Sequence, residues 1–210
     1  MKAISKIGAM GVLALALAFG NAATATAAGN DAQQRLSVNQ MSKPNRLLME
    51  QTIESNGKGL LSGIMPYRMT AAAALYEHVR DLDGAEAPVM DAFMKMFEAM
   101  RAEQPSFENN SLISYGGHAL LDSGTKNAAL GAIAFAHAEK IADHQDPFVR
   151  RTAVYVLQGL GLHYKSLAPR AAAQLETMGA VEKDGQNRQF ITDSLRQFGK
   201  EPQPQSSPAP

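Results

Sequence analysis

The stretch DPFVRRTAVYVLQGLG, Asp146 to Gly161, is a helix with a marked start, one apolar face and a softened end. The Asp146 carboxylate suits a helix N-cap because it accepts an orphan backbone N–H. Pro147 suits the first helical position, where its missing N–H is not needed. Val149, Ala153, Val156, Leu157 and Leu160 recur at offsets 0, 4, 7, 8 and 11 and so share one side of a 3.6-residue helix. Arg150 and Arg151 lie off the centre of that stripe, while Gly159 and Gly161 weaken the end and permit a turn. A face of this kind is stable only when other helices cover it.

Outward from this stretch, nearly every segment carries helical periodicity, punctuated by Gly, Pro, Asn and Asp. A first helix is expected over Arg46–Glu54, ahead of SNGKG. TAAAALYEHVRDL follows with Thr70 as its N-cap and Asp83-Gly84 as its stop. In PVMDAFMKMFEAMRAE, Pro88 sits in the first turn, and Val89, Phe93, Met96, Phe97 and Met100 line one face. NSLISYGGHALLDSG is expected to be disrupted by Gly116-Gly117, since glycine disfavours a helix interior. TKNAALGAIAFAHAEKIA, SLAPRAAAQLETM and QNRQFITDSLRQF complete the set. Convincing period-two alternation is missing, so few or no strands are expected and the fold class is all-α.

Read together, NAALGAIAFAHAEKIADHQDPFVRRTAVYVLQGLG resembles a HEAT repeat of the short, phycobilisome-lyase type, over about residues 127–161. Ile141, Asp143, Asp146, Pro147, Val149, Arg150, Ala153, Leu157 and Gly161 carry the likeness. The resemblance implies two antiparallel helices per unit, the second opening on Asp-Pro-x-Val-Arg. It further implies that Arg150 bridges to acidic turn residues of its own or a neighbouring repeat, with Asp143 and Asp146 as candidates. Residues 86–100 have a similar shape without the arginine or the Asp-Pro step. One unit cannot bury its own apolar face, so the expectation is a short HEAT-like α–α array or an irregular helical bundle. The family holds scaffolds and some enzymes, among them di-iron hydroxylases marked by His-Glu pairs. Here Glu77-His78 runs in the reverse order.

The ends have a different character. Lys2 and Lys6 precede an apolar run from Ile7 to Phe19, and small residues follow with Ala-x-Ala at Ala23 to Ala27. That order is expected of a secretory signal over residues 1–28, and the run is short for a membrane span of about 20 residues. The expected organisation continues with a flexible lead-in over 29–45, a helical domain over 46–199 and a disordered Pro/Gln/Ser tail over 200–210. Export and the lack of cysteine suit a periplasmic or secreted protein held by its core alone. Without the signal, 18 basic residues face 20 acidic ones, a balance of −2. That leaves no basic footprint for nucleic acid and no transmembrane segment after signal cleavage.

Candidate chemistry is sparse, and no motif calls for a cofactor. His118, His137 and His144 are the weak metal candidates. On one helix, however, a spacing of seven would separate His137 from His144 by about 10 Å. Met90, Met94, Met96 and Met100 could offer soft sulfur to copper or an adaptable groove to a partner, but Phe93 and Phe97 interleave with them as in a core stripe. Ser114, His118 and Asp122 stand four apart, as a triad-like line would, against the reading of a glycine turn. Arg151, His163, Lys165 and Arg170 are the candidate partner-binding residues, either a solvated face or a site for an acidic protein surface. The expected function is therefore an exported, non-enzymatic protein that binds another macromolecule, a protein of the cell envelope, through a helix-lined surface. A metal-dependent enzyme or carrier using His118, His137 and His144 is the alternative.

Overall fold

The computed structural model describes residues 36–199. The expected signal, the early lead-in and the tail lie outside the described residues. Among the described residues the chain is all-α, with eight α-helices. They are α1 (Lys43–Leu60), α2 (Met65–Asp81), α3 (Glu86–Met100), α4 (Asn110–Gly124), α5 (Ala128–Ile141), α6 (Pro147–His163), α7 (Ala168–Val181) and α8 (Gly185–Gln197). A short parallel pair joins β1 (Leu36–Ser37) to β2 (Leu82–Asp83). The chain is therefore already docked before α1, and buried Val38 helps hold it there. No helix among the described residues is long and apolar enough to cross a membrane.

Cap chemistry places several of these helices. Asp146 accepts from the Phe148 N–H at 2.8 Å, with Pro147 opening α6, while Asn127 caps α5 and Asp184 caps α8. The start of α2 and the continuity of α4 differ from expectation. The helix assigned to begin at Thr70 begins at Met65, and the Thr70 hydroxyl instead donates to the Pro66 carbonyl one turn back. Helix α4 runs unbroken through Gly116-Gly117. Packing decides that case: a Cβ on Gly116 would lie 2.5 Å from Phe97 Cζ, and one on Gly117 2.8 Å from Thr152 Cγ2. The two glycines are where α3 and α6 close onto α4. Gly84, at φ +101°, supplies the left-handed turn after α2.

The helices form two layers. The second helices of successive pairs, α2, α4, α6 and α8, pack side by side. The first helices α1, α3 and α5 form the other layer, which α7 extends through the Arg170 to Glu139 pair. Phe93, Phe97, Phe135, Met90, Met96 and Met100 are fully or nearly fully buried between the layers. Burying each such side chain contributes roughly 1.5–3 kcal/mol, so the methionines here are core.

Polar rungs join the turns along one edge. Arg68, four residues after the cap position Ile64, donates from Nε to the Leu60 carbonyl of its own turn. Its Nη1 donates to both Glu103 oxygens in the next hairpin, at 3.1 and 3.0 Å. Arg150, four residues after the cap Asp146, repeats the arrangement. Its Nη1 donates to the carbonyls of His144 and Gln145 in its own turn. Its Nε and Nη2 donate to the Glu182 carboxylate of the next hairpin at 2.8 and 2.6 Å. The partners named from sequence, Asp143 and Asp146, are therefore not the ones Arg150 uses. Asp146 is occupied as a cap, and Asp143 accepts from Arg101 Nη2 at 2.8 Å, which supplies the middle rung with Gln145. On the opposite edge, Lys126 pairs with buried Glu86, and the Tyr164 hydroxyl donates to the Gly124 carbonyl at 2.9 Å.

Candidate functional site

The layer of second helices presents a run of aromatic and polar side chains, half-buried at Tyr76, Tyr115, Asp122 and Tyr155 and exposed at His118. Tyr76 on α2 donates its hydroxyl to Asp122 Oδ2 on α4 at 2.7 Å. Its ring lies 5.9 Å from that of Tyr115 and 6.2 Å from that of His118. His118 meets Tyr155 of α6 edge-on at 5.5 Å, and the Tyr155 hydroxyl is hydrogen-bonded to His118 Nδ1 at 3.3 Å. Such tilted aromatic contacts fix ring orientation while leaving faces and polar tips available. Burial and the Asp122 carboxylate push the Tyr76 phenol up to about 12, so it stays a neutral donor. Burial, with a smaller effect of Asp122, raises Tyr155 as well.

Beside this run lies a cavity of ≈ 280 Å³ between α4, α6 and α8, lined by Ile113, Ser114, His118, Phe148, Arg151, Tyr155 and Phe190 among others. Arg151 enters from α6. Its Nε donates to Asn187 Oδ1 at 2.8 Å, its Nη2 donates to Gln186 Oε1 at 3.0 Å, and its guanidinium lies 5.6 Å from the centre of the Phe148 ring. Fully buried Asn187 is itself fixed by donating to the Pro147 carbonyl at 2.7 Å. The nearest carboxylate oxygen, on Asp184, stands 3.9 Å from Arg151 Nη2. Two neighbouring arginines thus divide their tasks: Arg150 is clamped by a buried carboxylate, whereas Arg151 is held in place by neutral amides.

A second, larger hollow of ≈ 480 Å³ lies between the α5–α6 turn and α7, with Glu139, Asp143, Arg150 and Glu182 in its wall. Apart from exposed Lys183, its charged side chains are matched inside the chain, by Arg150 to Glu182, Arg101 to Asp143 and Arg170 to Glu139. That leaves little to offer a ligand.

The residues singled out from sequence separate in space. Arg151 belongs to the aromatic face. His163 ends α6, twelve residues and about 18 Å of helix further along, with its ring edge on Tyr164. Lys165 is exposed in the following turn. Arg170 lies on α7, paired to Glu139 and over the Phe135 ring at 5.0 Å. Ser114, His118 and Asp122 share one unbroken helix, but His118 is bonded to Tyr155, and Asp122 accepts from Tyr76. No nucleophile–base contact joins them among the described residues.

The three metal candidates are equally distinct. His144 is buried: its Nε2 donates to the Phe97 carbonyl at 3.0 Å and its Nδ1 accepts from the Asp146 N–H at 3.0 Å. His137 packs beside Asp91 at 3.4 Å, and His118 faces Tyr155. Among the described residues no group of three His, Asp or Glu side chains is placed to hold a metal ion.

Tyr76, Tyr115, Phe148, Tyr155 and Phe190 were not singled out from sequence. Their signal is that they flank the apolar stripes of alternate helices instead of lying within them. No protein-family model, curated protein or solved structure matches this chain.

Proposed function

We propose that this chain is an exported, non-enzymatic array of HEAT-like hairpins that binds another protein of the cell envelope through the face made by α2, α4, α6 and α8. The observation that carries the reading is the aromatic run Tyr76, Tyr115, His118 and Tyr155 beside the Arg151 cavity. Tyrosine, tryptophan and arginine dominate the energetics of protein interfaces, the aromatics because they bring large rigid area and polar tips at small entropic cost, arginine through planar, charge-assisted hydrogen bonds. Stacked helix pairs expose such a surface along their whole length. The repeated Arg68 and Arg150 rungs support the repeat reading, since each arginine sits at the same place after its cap and reaches one hairpin onward. The signal-like order of residues 1–28 supports export.

The test is site-specific photo-crosslinking in the producing cell. A photoreactive phenylalanine analogue replacing Tyr155 or Tyr115 is expected to give one discrete protein adduct. The same analogue replacing Ile133, exposed on α5, is expected to give none. Adducts from Ile133 alone, or none from the aromatic face, would overturn the assignment of the surface.

A further inference from the structure

We infer that the cavity between α4, α6 and α8 receives the C-terminal residue of the partner chain, an apolar side chain together with its free α-carboxylate. This rests on the reading of the aromatic face as the partner-binding surface and names the chemistry that the surface selects.

Charge is the first argument. The cavity wall holds the Arg151 guanidinium and no carboxylate. Arg151 spends Nε and Nη2 on two neutral amides, its one ion-pair partner among the described residues, Asp184, stands 3.9 Å from Nη2 outside the cavity wall, and Nη1 has no hydrogen bond among the described residues. A planar guanidinium fixed in this way is suited to a carboxylate, which takes charge-assisted hydrogen bonds stronger than neutral ones. The amides also set its orientation, so little rotamer entropy remains to be lost on binding.

Size and polarity supply the second argument. At ≈ 280 Å³ the cavity lies just below the range of about 300–1,000 Å³ that holds drug-sized ligands. It therefore takes one large residue and not a length of helix. Ile113, Phe148 and Phe190 make most of its wall apolar. The occupant must place an apolar body and an anion in the same small volume. An internal Asp or Glu would need a second residue to fill the apolar part. A chain terminus carries both groups on one Cα, and its carboxylate reaches Arg151 as its side chain fills the space against Phe190.

The experiment uses fluorescein-labelled hexapeptide pools, random at the first five positions and ending in Leu, Phe or Ser. Each pool is made as the free acid and as the amide, and binding to the full chain is followed by fluorescence anisotropy. The Leu and Phe acids are expected to bind at least tenfold more tightly than their amides and than the Ser acid, with the preference shrinking as salt rises. Arg151→Gln is expected to erase the acid–amide difference, and Arg151→Lys to restore part of it. Ser114→Trp, a change on an exposed cavity-lining side chain, is expected to abolish binding while the circular dichroism spectrum is unchanged. Equal binding of acids and amides would overturn the inference, as would binding by no pool. Either result, alongside crosslinking from Tyr155, would leave the surface assignment standing and remove only the terminal-carboxylate recognition.

Discussion

Replacing Glu182 by Gln keeps the shape of the side chain and removes the charge at the centre of the α6–α8 rung. The wild-type carboxylate accepts from Arg150 Nε and Nη2, from the backbone N–H groups of Lys183 and Asp184, and from Asn187 Nδ2. Its side chain is only 1% exposed, against 20% for Arg150. These contacts, the Arg150 hydrogen bond first among them, hold the Glu182 carboxyl at about 2 instead of the usual 4.5. Each unit of such a difference is worth about 1.4 kcal/mol, so the charged state contributes about 3 kcal/mol to folding at neutral pH. Removing one partner from a buried pair costs a similar ~3–5 kcal/mol. Glu182→Gln is therefore expected to lower stability at pH 7 by about 3 kcal/mol, or Tm by about 6–12 °C for a domain of this size.

The sign of the acid response gives a sharper test. A carboxyl depressed in the folded state stabilises above its unfolded value and loses that stabilisation as pH falls through its folded value. In the wild type the loss falls between about pH 4.5 and about pH 2. Urea unfolding followed by circular dichroism should show this step in the wild type and a much smaller one in the variant, where Asp143, also held low by Arg101, still titrates. A change under 1 kcal/mol at pH 7, or an unaltered acid step, would refute the rung as a stabilising element.

Gly116→Ala is expected to destabilise by about 1–3 kcal/mol, because its Cβ would meet Phe97 and Phe93 in a filled interface; a neutral result in thermal unfolding would contradict the close approach of α3 and α4. Burial lowers His78, His137 and His144 below their usual 6.5, so stability present above that value should fall as pH drops below 6.5. His144 should contribute through its Nδ1, which must stay unprotonated to accept the Asp146 N–H. In His144→Gln the urea midpoint should depend less on pH in that window, and an unchanged slope would count against it.

Signals that are local in sequence were legible, and those that depend on distant neighbours were not. Asp146-Pro147 fixes the start of α6 because cap and first-turn chemistry act within three residues. Helix α1 continues past Glu54 through Ser55 to Leu60, against the break expected there. The Glu54–Lys58 pair at 2.7 Å spans that segment, and fully buried Leu60 anchors its end. Gly116-Gly117 reads as a helix breaker by propensity, but the phenylalanines that require small residues lie on another helix. The rung arginines were half legible. Arg150 stands out by its motif, yet its partner Glu182 lies 32 residues on, much as Glu103 lies 35 beyond Arg68. The aromatic face was hidden for the same reason, because α2, α4, α6 and α8 each supply one or two of its members.

The chain contains no cysteine, which makes single-cysteine labelling the most direct test of the proposed binding face. Ser114→Cys places a thiol at the cavity on α4, and Ala132→Cys places one on the exposed side of α5. Maleimide labelling rates would be compared between the purified chain and intact cell envelopes. Labelling of the Ser114→Cys chain is expected to slow at least tenfold in the envelope, with the Ala132→Cys chain unchanged. Equal rates for Ser114→Cys in both settings, or protection at Ala132→Cys alone, would contradict a partner seated on the aromatic face.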